Sequence, residues 1–223
     1  MTDLINNPIG FLYWIAALIV AITIHEFAHA LAAERLGDPT PRLMGRLTLN
    51  PLAHLDPLGT LMLLVARFGW GKPVVFDPYN LRNPRRDSAI ISIAGPVSNF
   101  LLAFVCSILI QLLPRIILPL FLNSIVLIFF YSLIPFLHVL VTINVVLGVF
   151  NLIPVHPLDG FKIVGGILPA EYAKQWQELE QYGILFLLLL IFPILGRTAP
   201  IQTLISPIIN FLLAILLPTA PLI

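Results

Sequence analysis

Long apolar runs alternate with short polar clusters along this chain, and the runs set its layout. The first covers residues 9–36, and no charged side chain stands between Asp3 and His25. A bilayer-crossing helix needs about 20 apolar residues, so this run predicts a first spanning helix. Residues 37–87 break the pattern with frequent Pro, Gly and Arg. Within them MGRLTLN alternates polar and apolar positions and predicts a short strand, and GKPVVFDP offers another. GTLMLLVARFG is apolar over only 11 residues and includes Arg67, which predicts an interfacial or re-entrant piece.

A second spanning helix is expected over 88–113, closing at Pro114-Arg115. After a turn a third is expected over 124–150, kinked near Pro135. NLIPVHPLDGFKIVGGILP carries three prolines and three glycines and cannot form one continuous helix. AEYAKQWQELEQYG has both signs of charge and predicts a helix at the membrane surface. ILFLLLLIFPILG and IQTLISPIINFLLAILLP predict a fourth and a fifth crossing or, being short and interrupted by proline, a re-entrant hairpin. The expected fold is an all-α polytopic membrane protein. It has a three-helix core, one or two C-terminal transmembrane segments and a small membrane-associated β-sheet or re-entrant region. The chain reads as one domain over 1–223, with its core at about 9–165 and its C-terminal helices at about 166–223.

Composition strengthens this reading. Of 223 residues 59% are hydrophobic and 10% charged, with a mean hydropathy of +0.99. Ordinary soluble domains are about 45–50% apolar and about 25% charged. The net charge of +1 says nothing about nucleic acid; no basic patch with aromatic interleaving stands out, and nucleic acid is not an expected partner. The lone Cys106 offers no disulfide framework. Ala28-His29-Ala30 fits a signal-peptide cleavage pattern, but no Lys or Arg precedes the apolar run and that run is too long. It reads as a retained helix. Eight of the twelve Lys and Arg residues fall from Arg35 to Arg86, from the end of the first expected span to the start of the second. The positive-inside bias makes this section cytoplasmic, in a plasma or inner membrane, with the N-terminus outside. PVHPLDG then emerges on the same side as the His25 end of the first helix.

The first apolar run contains AITIHEFAHALAAERLG, and here the chemistry begins. His25 and His29 stand four residues apart, so on a helix their rings project along nearly one line, about 6 Å apart along the axis. That spacing suits two imidazole ligands of one tetrahedral zinc ion. Glu26 lies about 100° around the helix, where the general base of an H-E-x-x-H hydrolase stands. Two histidines packed inside a bundle are the plainer reading. Burial weighs against it, because an acid at the bilayer centre costs about 2.5–3.5 kcal/mol even on insertion scales. A dication would compensate. A catalytic zinc usually takes a third protein ligand, and Asp159 in NLIPVHPLDGFK is the candidate, unless it is an Asx-turn residue before Gly160.

H-E-x-x-H on a first core helix, followed by N-x-x-P-x-x-P-L-D-G after a third, resembles the site-2 protease family of intramembrane zinc metalloproteases. The residues are His25, Glu26 and His29, then Asn151, Pro154, Pro157, Leu158, Asp159 and Gly160. AGPVSN, residues 94–99, is similar to the family's small-residue motif on its middle core helix. NPLAHLDPLGT is similar to the small bacterial and archaeal members, and no loop has room for a PDZ domain. The resemblance covers about residues 9–165. It implies one Zn2+ per chain held by His25, His29 and Asp159, with Glu26 activating water and Asn151 stabilising the oxyanion. It also implies a membrane-associated sheet near MGRLTLN and Val74, along whose edge an unwound substrate adds a strand. The implied partners are single-pass transmembrane substrates and the lipid bilayer; control of substrate entry falls either to the helices themselves or to a separate regulatory protein.

Asn99 and Asn144 also lie in apolar runs, where a helix–helix hydrogen bond explains them at least as well as a catalytic role. His156 stands three residues from Asp159 and His54 in the embedded loop, and neither enters the expected ligand set. His138 reads as a packing residue. The expected function is intramembrane proteolysis near the cytoplasmic face. The alternative is a metal-binding membrane protein without proteolytic activity, either a transporter or an inactive relative. Transporters tend to show internal symmetry, which is not visible here, and an inactive relative would not need Glu26.

Overall fold

In the computed structural model, residues 7–66, 70–120, 124–193 and 198–217 are described. The helices are α1 (Pro8–Leu36), α2 (Thr40–Leu43), α3 (Pro57–Ala66), α4 (Pro84–Leu120), α5 (Ser124–Asn151), α6 (Asp159–Ile167), α7 (Ala170–Glu178), α8 (Gly183–Ile191) and α9 (Pro200–Leu216). Three stretches are long and apolar enough to cross a membrane: Pro8–Leu36, Pro84–Ile116 and Ser132–Asn151.

Helix α1 starts where Asn7 Oδ1 accepts the Gly10 N–H at 2.9 Å, with Pro8 at the first helical position. It stops at Gly37, whose φ of 107° only glycine adopts without strain. Its buried residues include four alanines, Ala17, Ala21, Ala30 and Ala33, beside Thr23, His25 and His29. The alanines let α1 lie close against α4 and α5, and those two helices pack on each other as well. Side chains such as Leu101, Phe104 and Val105 of α4 are exposed, as a lipid-facing surface would have them. Two polar groups bind within the core. Asn99 Nδ2 donates to Asn144 Oδ1 at 2.8 Å, and Asn144 Nδ2 donates to the Leu140 carbonyl at 2.8 Å. An unpaired amide at this depth would cost more than its hydrogen bonds return.

Several sequence expectations change. No strand ladder forms among the described residues, where the sheet reduces to a single antiparallel bridge between Leu55 and Gly71. MGRLTLN turns instead. Gly45 has a φ of 70°, Arg46 N–H bonds the Pro41 carbonyl at 2.8 Å and Thr48 N–H bonds the Arg46 carbonyl at 2.9 Å. Its backbone is satisfied locally, so it needs no neighbouring strand. GKPVVFDP forms no strand, since Pro73 offers no donor and Val74 bonds a side chain. The short apolar run does form a helix, α3, while Arg67 lies outside the described residues.

The second long helix begins earlier than expected and continues through Pro114 to Leu120. In an apolar medium the helix satisfies its own backbone, so losing one N–H costs less than unwinding the segment. Helix α5 tolerates Pro135 in the same way. Helix α8 has 9 residues and α9 has 17, each short of the length that spans unaided. Helix α9 buries Ile201, Ile205, Ile209 and Leu213, a four-residue spacing that lays one face on α5.

Candidate metal centre and its cleft

His25 and His29 lie one turn apart on α1 with ring centroids 4.6 Å apart, and both are buried. Asp159 opens α6. Helix α6 can begin this close to the end of α5 because Gly160 has no side chain. A Cβ there would strike the Leu152 and Ile153 carbonyl oxygens. Asp159 Oδ2 consequently lies 3.1 Å from His25 Nε2 and 3.2 Å from His29 Nε2, while the two Nε2 atoms are 3.0 Å apart. The three donor atoms form a compact triangle.

The outer nitrogens decide what the inner ones can do. His25 Nδ1 lies 2.6 Å from Asn99 Oδ1, and His29 Nδ1 lies 2.7 Å from the Ile91 carbonyl. The amide of Asn99 is oriented by donating Nδ2 to Asn144 Oδ1 and to the Ala21 carbonyl at 3.2 Å. Both partners of the imidazoles are therefore acceptors, so each Nδ1 carries the proton and each Nε2 keeps a lone pair. Asp159 Oδ2 is buried with no hydrogen-bond partner. Three lone pairs directed at one another repel unless a cation lies among them. Tetrahedral zinc with ligand distances near 2.0–2.2 Å sets its ligands roughly 3.3–3.6 Å apart, a few tenths of an ångström more than observed. The donor set fits zinc.

Gly95 on α4 keeps this space open. A Cβ at Gly95 would press on His29 Nε2 and stand 2.6 Å from His25 Cε1. A cleft of about 400 Å3 adjoins the triangle, and Glu26, Asn151 and Lys162 line it among largely apolar walls that include Val74, Phe76 and Phe150. Glu26 Oε2 accepts the Val74 N–H at 2.8 Å.

The sequence-predicted residues thus meet with one qualification. His25, His29 and Asp159 converge, and Glu26 and Asn151 share their cleft. The Asn151 amide, however, donates to the Leu147 carbonyl at 3.0 Å on its own helix. The other histidines stand outside the triangle. His156 Nδ1 is 3.5 Å from Glu180 Oε1, His54 Nε2 is 2.8 Å from the Thr48 carbonyl and His138 Nδ1 is 2.8 Å from the Ile134 carbonyl. Sequence reasoning left Asn99 undecided and missed Gly95, the Ile91 carbonyl and the Val74 N–H. Asn99 and Gly95 sit inside AGPVSN and were within reach. Backbone partners leave no mark in side-chain identity.

Comparison with known proteins points one way. The model of peptidase family M50 matches residues 13–193. "Putative zinc metalloprotease YwhC" of Bacillus subtilis (strain 168) is 40% identical over 183 residues, covering 82% of this chain and 81% of that protein. "Putative zinc metalloprotease Rip2" of Mycolicibacterium smegmatis is 35% identical over 193 residues, covering 84% of this chain and 70% of that protein. "Zinc metalloprotease MJ0392" of Methanocaldococcus jannaschii is 25% identical over 170 residues, covering 76% of this chain but 38% of that protein. No solved structure matches the chain.

Proposed function

The chain belongs to peptidase family M50 and is a zinc-dependent metalloprotease of the membrane; from that premise we propose that it cuts single-pass proteins inside their membrane-embedded segments, near the cytoplasmic face. The observation that carries this reading is the triangle of His25, His29 and Asp159, placed where α1 and the end of α5 meet, with Glu26 beside it. Both helices are long and apolar enough to cross a bilayer. In this reading the loops rich in Lys and Arg face the cytoplasm and the N-terminus lies outside.

His25 and His29 hold the metal through Nε2 and Asp159 through its carboxylate. When bound, zinc polarises the scissile carbonyl and lowers the pKa of water. Glu26 takes the proton from the attacking water and passes it to the leaving amine. Asn151 supplies its amide to the developing oxyanion; one of its two N–H groups donates to the Leu147 carbonyl and the other is available for that charge. Asn99 and the Ile91 carbonyl hold both imidazoles in the tautomer that ligation needs. Apolar walls exclude water, which strengthens each of these interactions. A helical peptide bond is hydrogen-bonded within its own chain, so the substrate must unwind locally before it reaches Glu26. Segments weakened by Gly, Pro or polar residues are the expected targets.

Glu26→Gln tests this assignment. It should retain about one zinc per chain and lose cleavage of a reconstituted single-helix reporter, whereas His25→Ala should lose the metal. Wild-type cutting by Glu26→Gln protein would refute the role given to the carboxylate.

A further inference from the structure

Glu26 is held from outside its helix, and the hold has an anchor. Residues 71–77 form an irregular strap that lines the cleft. At the near end, Lys72 N–H donates to the His54 carbonyl at 2.8 Å, and the buried Arg46 donates to the Lys72 carbonyl at 3.4 Å and to the Ala53 carbonyl. At the centre, Val74 N–H donates to Glu26 Oε2 at 2.8 Å. At the far end, Asp77 N–H donates to Asp38 Oδ2 at 2.7 Å.

Asp38 directly follows Gly37, the residue that ends α1, and it is fully buried. Its two oxygens divide the work. Oδ1 accepts from Thr40 N–H at 3.0 Å, from Thr40 Oγ1 at 2.6 Å and from Asn80 Nδ2 at 2.8 Å. Oδ2 is left for the strap. Burial acts to raise the Asp38 carboxyl, but the hydrogen bonds from Thr40, Asn80 and Asp77 outweigh it and hold the group below its ordinary range. The anion that accepts these bonds is therefore the neutral-pH form.

We propose that Asp38 is a positioning residue: by clamping Asp77 to the end of α1 it fixes the strap, and the strap's Val74 N–H fixes the carboxylate of Glu26 within the cleft. This rests on the reading of Glu26 as the general base. Glu26 and Asp38 belong to the same helix and its cap, so the strap closes a loop of hydrogen bonds from that helix back to itself. Only two residues, Val75 and Phe76, separate Val74 from Asp77, at most about 10 Å of extended chain. Loss of the far anchor therefore reaches Val74 directly. A glutamate side chain freed of its fixed donor samples several rotamers, and few of them present an oxygen to the attacking water.

Asp38→Asn separates the two oxygens. An asparagine keeps one acceptor for Thr40 and Asn80 but turns an N–H toward Asp77 N–H, which breaks the strap contact at nearly unchanged volume. Amide hydrogen exchange and zinc content of the full chain in detergent read the geometry without a substrate. The expected result is exchange at Val74 about tenfold faster or more, confined to residues 72–77, with zinc unchanged. On a single-helix reporter carrying a Gly-Pro break, kcat should fall about ten- to a hundredfold with little change in KM. Wild-type protection at Val74 together with wild-type kcat overturns the proposal. So does faster exchange spread over α4 and α5, which would mean that Asp38 merely supports folding.

Val74→Pro, which deletes the donor itself, supplies a second arm. Adding Asp38→Asn to it should lower kcat little further, because both changes break one connection; fully additive losses also overturn the proposal. If the wild-type protein cuts no membrane-embedded reporter, the intramembrane reading fails, while exchange at Val74 in Asp38→Asn protein still decides whether the anchor exists.

Discussion

The two walls of the cleft are secured by different means. On the α1–α4 wall, each imidazole is held by a buried acceptor, Asn99 Oδ1 for His25 and the Ile91 carbonyl for His29, and Asn99 is held in turn by Asn144. These partners sit on helices whose backbone bonds are satisfied internally. On the opposite wall, residues 71–77 belong to no helix or ladder and depend on a few long-range bonds to His54, Arg46, Glu26 and Asp38. The difference assigns two tasks. On the proposed assignment the helical wall fixes the metal ligands, where errors of a few tenths of an ångström cost affinity. On the same assignment the strap wall orients the Glu26 carboxylate and lines the cleft.

Changes on the helical wall should therefore act on zinc affinity, and the largest effect is expected at Gly95. A methyl group there would overlap the His29 ring and crowd His25, and neither helix can retreat without opening the core. At the upper end of overpacking, about 3 kcal/mol, Gly95→Ala should weaken zinc binding roughly a hundredfold or more, read by competition with a chelator. Full zinc affinity in a folded Gly95→Ala protein would mean that the helical wall yields as readily as the strap, and the comparison would break.

Asn99→Leu should be the next strongest. It keeps the volume but removes the acceptor for His25 Nδ1 and the donor to Asn144. Loss of an outer partner of a ligating histidine typically costs about ten- to a hundredfold in metal affinity. The same chelator competition checks it. A normal affinity would show that the Nδ1 contact does not set the tautomer, and the reading of the helical wall would need revision.

Much of this was legible in the sequence, and what was legible shares a cause. The three long helices follow from apolar runs that leave the backbone no alternative within a bilayer. His25, Glu26 and His29 follow from helical spacing, and Asp159 from topology together with an acid in an apolar segment. Errors gathered where the answer depends on a partner in space. MGRLTLN alternates like a strand, but the turn at Gly45 and local carbonyls satisfied it first. GKPVVFDP forms no strand, and its central donor goes to Glu26 instead of to a neighbouring strand. Pro114 looked like a helix end because proline usually is one in water, and an apolar surround changes that balance. Asn151, named by the resemblance, lines the cleft, but its bond to the Leu147 carbonyl on its own helix is not encoded in spacing.

The smallest effect should come from acid, and it should fall on the strap wall. The Asp38 carboxyl is held below its ordinary value in the folded protein, with the bonds from Thr40, Asn80 and Asp77 outweighing burial. A group lowered in the fold contributes stability that is fully present above its unfolded value, about 3.9, and is lost as pH falls through the folded one. Zinc release complicates acid unfolding of the wild type alone. The difference in melting temperature between wild type and Asp38→Asn removes that complication, since both proteins carry the same ligands and only one titrates at position 38. That gap should hold steady from pH 8 to about 5 and shrink as the pH falls below the usual carboxylate range. A gap that narrows above pH 5 would show that Asp38 is not held as a stabilised anion. A gap that persists unchanged to pH 2 would show that its charge contributes nothing to the clamp, and that the strap wall is held by shape alone.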